Sequence, residues 1–455
     1  MSRRRVAVTG IGMVSPVGTS AAECWDACLA GRAAVAPIPE LWRRWSAFHS
    51  TVWAPLPAVD FQAAGISSLE MLRLDKSALL AIVAAGEALS DAGIQTSLTD
   101  AKRGFWRLAG IDRDRAGVFM GIGLGGITTL IAAQNSHLLS PVQSLERHPD
   151  PAGSVAPARA TLDVLLASLP VRFNPFAVSM CMCNALSAAL GIRYSLRGPN
   201  ATSVLACASG TAAIGQAFRS IRGGETDMAL CGGAEYMGDP FGGVFRSFDS
   251  TRALASAVDG EREANRPFDR KRTGFLLAEG GAAVLVCEEM GHALRRGAPV
   301  HAEIVGYGES FDAYSMMIME PSGEQLMRAI GSSLDDAGLA PADVDYINAH
   351  GTGTLVNDDI ESAVIEQLFG SRPLVNATKS LTGHCIGASG ALEAAIMALS
   401  LRDQKVHGCV NLQDPVRPLN FVRSSTNARL VSAISQSAAF GGHNTVIVMR
   451  QADPA

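Results

Sequence analysis

Residues 203–215, SVLACASGTAAIG, set one cysteine, Cys207, where an apolar run gives way to a stretch of small residues. A lone cysteine in such a run is ordinarily a small buried hydrophobe. Two features allow more. Ala206, Ala208, Ser209 and Gly210 are small enough for a tight turn from strand to helix. A helix beginning near residue 208 would aim its free N–H groups and positive dipole end at the sulfur, favouring thiolate. The same N–H groups would hold an oxyanion during acyl transfer. A cysteine nucleophile also needs partners elsewhere in the chain. His350 stands in YINAHGTGTLVNDDIE, after a strand-like run and before Gly-Thr-Gly-Thr. His384 stands in ATKSLTGHCIGASGALEAA, five residues after Lys379 and just before a glycine-rich helix start. One histidine in a glycine turn is more often structural; two, one sharing its loop with a lysine, point to shared chemistry. A third glycine loop, SAAFGGHN, places bulky Phe440 before two flexible glycines, which suits a small gate.

These loops need a scaffold, and the pattern supplies one. RVAVTGIGMVSPVG is a β-branched run broken by glycines, followed by a helical stretch at SAAECWDACLAG. Residues 77–92 carry apolar residues at helical spacing and end at Gly93. Strand-like runs return at AGVFMGIGLGG, TDMALCGGAE, GAAVLVCEE and TVIVMR. Apolar strands alternating with helices predict an α/β or layered α/β/α architecture. Residues 136–172, rich in proline and charge at their start, read as an excursion from that scaffold. The charge-dense stretch 255–274, ASAVDGEREANRPFDRKRTG, is expected to run over the surface.

Bulk composition narrows the function. The chain has 455 residues, of which 48% are apolar and 18% charged, so two domains or two halves sharing a large sheet are expected. A formal net charge of −5 argues against nucleic-acid binding. No run reaches eighteen apolar residues without a charge, and Val6 onward reads as strand and turn instead of a secretory leader. Nine scattered cysteines include Cys181 and Cys183, with one residue between them, and no second pair so close to complete a zinc site. Reduced thiols, no metal and a cytoplasmic location are the expectation.

Taken together and in order, the motifs resemble the β-ketoacyl-acyl carrier protein synthases of the elongating, decarboxylating type, close to the KAS II branch. The likeness runs from VAVTGIGMVSPVG to FGGHN and includes LRGPNATSVLACASGTAAIG, GGAE, RPFDRKRTGFLLAEGG, NAHGTGTLVND and TKSLTGHCIGASGALE. It implies a thiolase-like fold, two similar halves in five α/β/α/β/α layers, divided here into residues 1–297 and 298–455. It also implies an acyltransferase that condenses an acyl thioester on Cys207 with malonyl-acyl carrier protein, releasing CO2. By resemblance His350 and His384 bind the malonyl thioester carbonyl, while Lys379 orients the histidine loop through Glu393. Glu361 and Asp358 are weaker support candidates, since acids at such places are ordinarily solvated. Phe440 matches the gatekeeping aromatic and Leu124 the residue that limits acyl chain length. Arg73, Lys76 and Arg252 lie in segments that suit an acidic carrier protein. Cofactors are not expected, because substrates arrive on the carrier's phosphopantetheine. The expected assembly is a homodimer, or a heterodimer with a chain-length-factor-like subunit.

The chain departs from that pattern in places. Ala439 stands where a glycine is usual before the gating phenylalanine, and His443 follows the double glycine in place of threonine. Alanine narrows the backbone choices of the loop. Together with the tryptophans of ELWRRW and STVWAPLP, this points to a specialised synthase, of the type II polyketide or aryl-polyene kind. A chain-length factor lacks the cysteine, and a thiolase would use a cysteine base where this chain has His384. Both are rival readings with the same fold.

Overall fold

The glycine-broken run at the N-terminus forms strand β1, Val6–Val14, buried along its whole length. Its glycines permit close packing. A Cβ on Gly12 would lie 1.9 Å from the carbonyl oxygen of Ala84, so helix α1, Lys76–Asp91, rests directly on the strand. Asp75 caps α1 by accepting from the Ser77 N–H, and Gly93 ends it at a left-handed φ of 69°.

The computed structural model describes residues 3–101, 103–124, 176–239, 241–257 and 260–453. The excursion at 136–172 lies outside the described residues. After α1 come β2 (Ala116–Gly121), α2 (Ala185–Tyr194), β3 (Asn200–Ser203), α3 (Ser209–Arg222), β4 (Met228–Tyr236) and β5 (Gly280–Glu289). The chain then repeats itself with β6 (Ala302–Phe311), α4 (Glu324–Ala337), β7 (Tyr346–Asn348) and α5 (Leu355–Phe369). It finishes with β8 (Leu374–Asn376), α6 (Ser389–Asp403), β9 (Ser432–Ala439) and β10 (His443–Gln451).

The ten strands are hydrogen-bonded in the order β8-β7-β9-β10-β6-β1-β5-β4-β2-β3. Each half, read from its outer edge, has its third, second, fourth, fifth and first strands in turn. The senses also match: β2 runs parallel to β3 and β4, as β7 does to β8 and β9. The remaining pairs in each half are antiparallel. Even the glycine device recurs, since a Cβ on Gly308 of β6 would lie 2.1 Å from the Ala329 carbonyl oxygen of α4.

Helices α3 and α6 lie between the halves: α3 touches β2 and β4 but also β6 and β10, and α6 touches β9 and β10 but also β1, β4 and β5. The interior divides accordingly. A central core takes in Phe218 and Ile221 of α3 with Met397 and Leu399 of α6. One outer core packs α1 and α2 on the first half through Leu80, Ile82 and Leu190. The other packs α4 and α5 on the second through Ile330, Leu334 and Ile365. This is the five-layered α/β/α/β/α thiolase-like architecture, and it brings the start of α3 and the start of α6 side by side.

The charged stretch 255–274 runs over the surface only in part: Glu261, Arg262, Arg270 and Lys271 are exposed as expected, but the residues between and beside them turn inward. Asn265, Arg266, Asp269 and Arg272 are buried, and Phe268 is fully enclosed. The reason is that Asn265 and Arg272 satisfy backbone of the histidine-bearing segments, while Asp269 accepts the N–H groups of Gln413 and Asp414. Asn265 Nδ2 donates to the carbonyls of Lys379 and Ser380, at 2.7 and 2.9 Å, and Arg272 donates to those of Thr354 and Leu355. Charge at such positions serves the interior, because buried carbonyls must find donors.

Candidate active site

Cys207 sits in a single 3-10 turn, Ala206–Ala208, just before α3 begins at Ser209. Ala206 is held at φ 47°, a conformation that a residue with a Cβ rarely adopts. This sharp elbow presents the thiol beside the two histidines, with the N–H groups of Cys207 itself and of Phe440 facing the sulfur. Burial pushes the Cys207 thiol up to about 12; Lys379 and those two N–H groups pull the other way. The resting sulfur is therefore a neutral thiol surrounded by groups that favour its anion.

His384 Nε2 lies 3.0 Å from Cys207 Sγ, and the two imidazoles meet edge to face with centroids 5.6 Å apart. Lys379, although it shares a loop with His384, reaches over to His350: its Nζ lies 3.2 Å from His350 Nδ1 and donates to the His350 carbonyl at 2.7 Å. Glu393, on α6, pairs with the same ammonium. Burial pushes the Glu393 carboxyl up to about 7, opposed by Lys379. Both imidazoles are held well below the usual histidine range, by burial first and then by the Lys379 charge. Each is thus neutral at physiological pH. The donor atoms of Cys207, His350 and His384 lie within 4.8 Å of one another, a set with the chemistry to hold a soft dication.

Glu361 and Asp358 are not solvated; both are fully buried on α5. Glu361 accepts the backbone N–H groups of His350 and Gly351 at 2.6 and 2.8 Å, fixing the loop that carries His350. Asp358 accepts those of Phe268 and Gly353. Burial raises both carboxyls. They act on the histidine through its loop, with no contact to the reacting atoms.

The three reactive side chains open on a cavity of about 280 Å³, shared with Phe275, Met317 and Phe440. Residues 3–292 match the family described as "Beta-ketoacyl synthase, N-terminal domain" and residues 301–413 its C-terminal counterpart. The chain belongs to the β-ketoacyl synthase family. It is 35% identical to the 3-oxoacyl-acyl-carrier-protein synthase 2 of Coxiella burnetii, with 99% of each chain covered. The Synechocystis sp. enzyme of the same name is 33% identical over the same shares. Among solved structures, a β-ketoacyl synthase from Burkholderia phymatum superposes with a TM-score of 0.81 at 30% identity, covering 99% of this chain and 100% of that one. The ishigamide ketosynthase/chain length factor superposes at 0.79 with 30% identity and the same coverage.

In this β-ketoacyl synthase, Leu124 joins Cys207, Trp42 and Trp53 in one apolar cluster behind the nucleophile, where the two tryptophan rings meet at 4.8 Å. Ala439 ends β9 in extended backbone, so no glycine is required there; the left-handed bend falls on Gly441 and Gly442, at φ 89° and 87°. The His443 ring meets that of Phe311 at a tilt of 46°, centroids 5.1 Å apart. Of the three cations expected at a docking face, Arg252 lines the cavity, whereas Lys76 is bonded to the Tyr236 hydroxyl and Arg73 lies over Phe176.

Two residues of the ketosynthase site escaped the sequence reading. Ser389 bonds His384 Nδ1 at 2.9 Å. Glu235, the last residue of the GGAE motif, is buried and accepts from the N–H groups of Gly123 and Gly387, tying the Leu124 loop to the turn beyond His384. No helix among the described residues is long and apolar enough to cross a membrane.

Proposed function

We propose that this chain carries out decarboxylative Claisen condensation on acyl carrier protein thioesters. The observation that carries the reading is the convergence of a cysteine thiol and two neutral imidazoles on one cavity, with two backbone N–H groups at the sulfur. Cys207 attacks the acyl thioester of a carrier protein; the acyl–sulfur bond to phosphopantetheine breaks, and the thiol proton ends on the departing sulfur. The N–H groups of Cys207 and Phe440 hold the oxyanion of the tetrahedral intermediate. Malonyl-acyl carrier protein then binds with its thioester oxygen between His350 and His384, whose N–H groups stabilise the enolate formed as CO2 leaves. The enolate carbon attacks the acyl-Cys207 carbonyl, giving the β-ketoacyl thioester. Cys207 leaves as thiolate and takes up one proton.

Neutral histidines suit this task, because a donor matched to developing charge stabilises the transition state more than the ground state. Phe440 serves as gate, Leu124 and the tryptophans behind Cys207 set the acyl pocket, and Arg252 greets the acidic carrier. The enzyme needs no cofactor or metal of its own and works in the cytoplasm. A second copy or a chain-length-factor-like subunit joins it at β3, an outermost strand of the sheet among the described residues. The ishigamide relative, a ketosynthase/chain length factor, favours the heterodimer for a specialised pathway.

Intact-mass measurement after mixing with acyl- and malonyl-carrier protein tests the reading. An acyl adduct on Cys207 and a β-ketoacyl product are expected, both lost in Cys207→Ala. A protein that stays unmodified and forms no product sinks it.

A further inference from the structure

The elbow before α6 repeats the elbow before α3, and each has a serine at the same place. Ser209 Oγ accepts the Leu205 N–H at 2.8 Å and has two backbone carbonyls to donate to, those of Ile122 and Ala206 at 2.9 and 2.7 Å. Its proton stays within the backbone of the turn. Ser389 Oγ accepts the Cys385 N–H at 2.9 Å, the equivalent bond. The other partner shown for its hydroxyl is His384 Nδ1. Ser389 is buried, and a buried hydroxyl that keeps its proton unshared is strongly disfavoured. The hydroxyl therefore donates to Nδ1, which must be the bare nitrogen of a neutral ring.

We propose that Ser389 is a positioning residue that fixes His384 in the tautomer with its proton on Nε2, the nitrogen 3.0 Å from Cys207 Sγ. The ring is then a hydrogen-bond donor to the sulfur and to the substrate oxygen, and Nε2 has no lone pair with which to take the thiol proton. His350 is set the same way by a different donor, since the Lys379 ammonium faces its Nδ1. Two unlike devices, a hydroxyl and an ammonium, thereby produce a matched pair of Nε2–H donors. Phe275, edge-on to the His384 ring at 5.3 Å, holds the plane in which that donor points.

The inference rests on the condensing role proposed above, so one of its readouts is independent of activity. In unliganded protein carrying 15N-labelled histidine, long-range proton–nitrogen spectra should show His384 with Nε2 protonated and Nδ1 bare. The signal is assigned by its loss in His384→Ala. A proton on Nδ1 overturns the proposal, whether or not the protein condenses anything. In folded Ser389→Ala, malonyl-carrier protein decarboxylation should lose about tenfold in kcat with little change in KM. Ser389→Thr, which keeps the hydroxyl, should restore most of the rate. A folded Ser389→Ala enzyme with full kcat and an unchanged His384 spectrum also overturns it.

Discussion

The two elbows of the molecule have one backbone and two uses. In the first half, Ala206 at φ 47° leads into a 3-10 turn, a serine and then α3; in the second, Ile386 at φ 45° leads into a 3-10 turn, a serine and then α6. Where the first turn has Cys207, the second has Gly387. The first elbow lifts a reactive atom into the cavity. The second presents no side chain at that point, because Gly387 is pressed against the chain of the other half: a Cβ there would fall 2.2 Å from Gly123 N and 2.7 Å from the Ile122 carbonyl carbon. Its reactive group comes instead from the strand side, three residues earlier, as His384. A duplicated scaffold thus yields an asymmetric pair, nucleophile from one copy and hydrogen-bond donors from the other.

Putting a side chain on the second elbow is the strongest way to break that division. In Gly387→Ala the new methyl meets backbone atoms, which cannot swing aside as a side-chain tip would. The usual cost of overpacking a tight interior reaches about 3 kcal/mol, and that upper end is expected here. Urea unfolding should show a lower midpoint at unchanged slope. Acylation of Cys207 should fall with it, since Gly123 and Leu124 are displaced. A fully stable and active Gly387→Ala protein would mean the two halves are not clamped at this point.

The strained residues offer a subtler contrast. Replacing Ala206 by glycine relieves a left-handed conformation worth about 1–2 kcal/mol, but adds unfolded-chain freedom worth about 0.4–1 kcal/mol. The two partly cancel, so stability should stay level or rise by up to about 1.6 kcal/mol. Ile386→Gly gains the same relief and loses a buried side chain, which by comparison with large-to-small core changes costs about 2–5 kcal/mol. It should therefore be the less stable variant, by about 2–5 kcal/mol, in parallel denaturation curves. Equal effects would show that Ile386, unlike its appearance in the apolar cluster with Cys207, contributes nothing by burial.

Much of this was legible in the residues. Cys207, His350, His384 and Lys379 each sit among small or glycine-rich neighbours, and those local compositions mark tight turns wherever they occur. The alternation of apolar strands and helices gave the layered α/β class for the same reason. What stayed hidden depends on approach between distant segments. Ser389 looks like an ordinary helix-start serine until His384 is placed on it, and Glu235 binds N–H groups of Gly123 and Gly387, 112 and 152 residues away. Asp358 and Glu361 read as no more than support candidates, and 255–274 as a surface run, because charge density is a surface signal; what buries Asp358, Glu361, Asp269 and Arg272 is chiefly backbone groups, which every sequence possesses. The duplication was equally invisible. It survives in strand order, in paired close approaches such as Gly12 and Gly308, and in a side-chain match as short as Ala-Ser-Gly at 208–210 and 388–390.

Glu235 joins the two elbows, and its protonation gives the gentlest test of that junction. Burial pushes its carboxyl up to about 8, partly offset by the N–H groups of Gly123, Gly387 and Leu124. Its ordinary value is 4.5, so between those two points the folded protein holds a proton that the unfolded chain has released. The folded state binds more protons there, so stability falls as pH rises, and the contribution is fully present only below the ordinary value. The slope from one such group approaches about 1.4 kcal/mol per pH unit. Glu393, raised to about 7 beside Lys379, adds its own part below neutrality. Between pH 7 and 8 Glu393 completes the second half of its titration in wild type and variant alike, so the difference between them reports Glu235, the link between the halves. Glu235→Gln keeps an acceptor for Gly123 and Gly387 but cannot ionise. Its unfolding free energy should therefore decline less than wild type's across that interval, by up to about 1 kcal/mol. Parallel slopes for the two proteins would show that the carboxyl is already charged at neutrality, held as an anion by the three N–H groups around it.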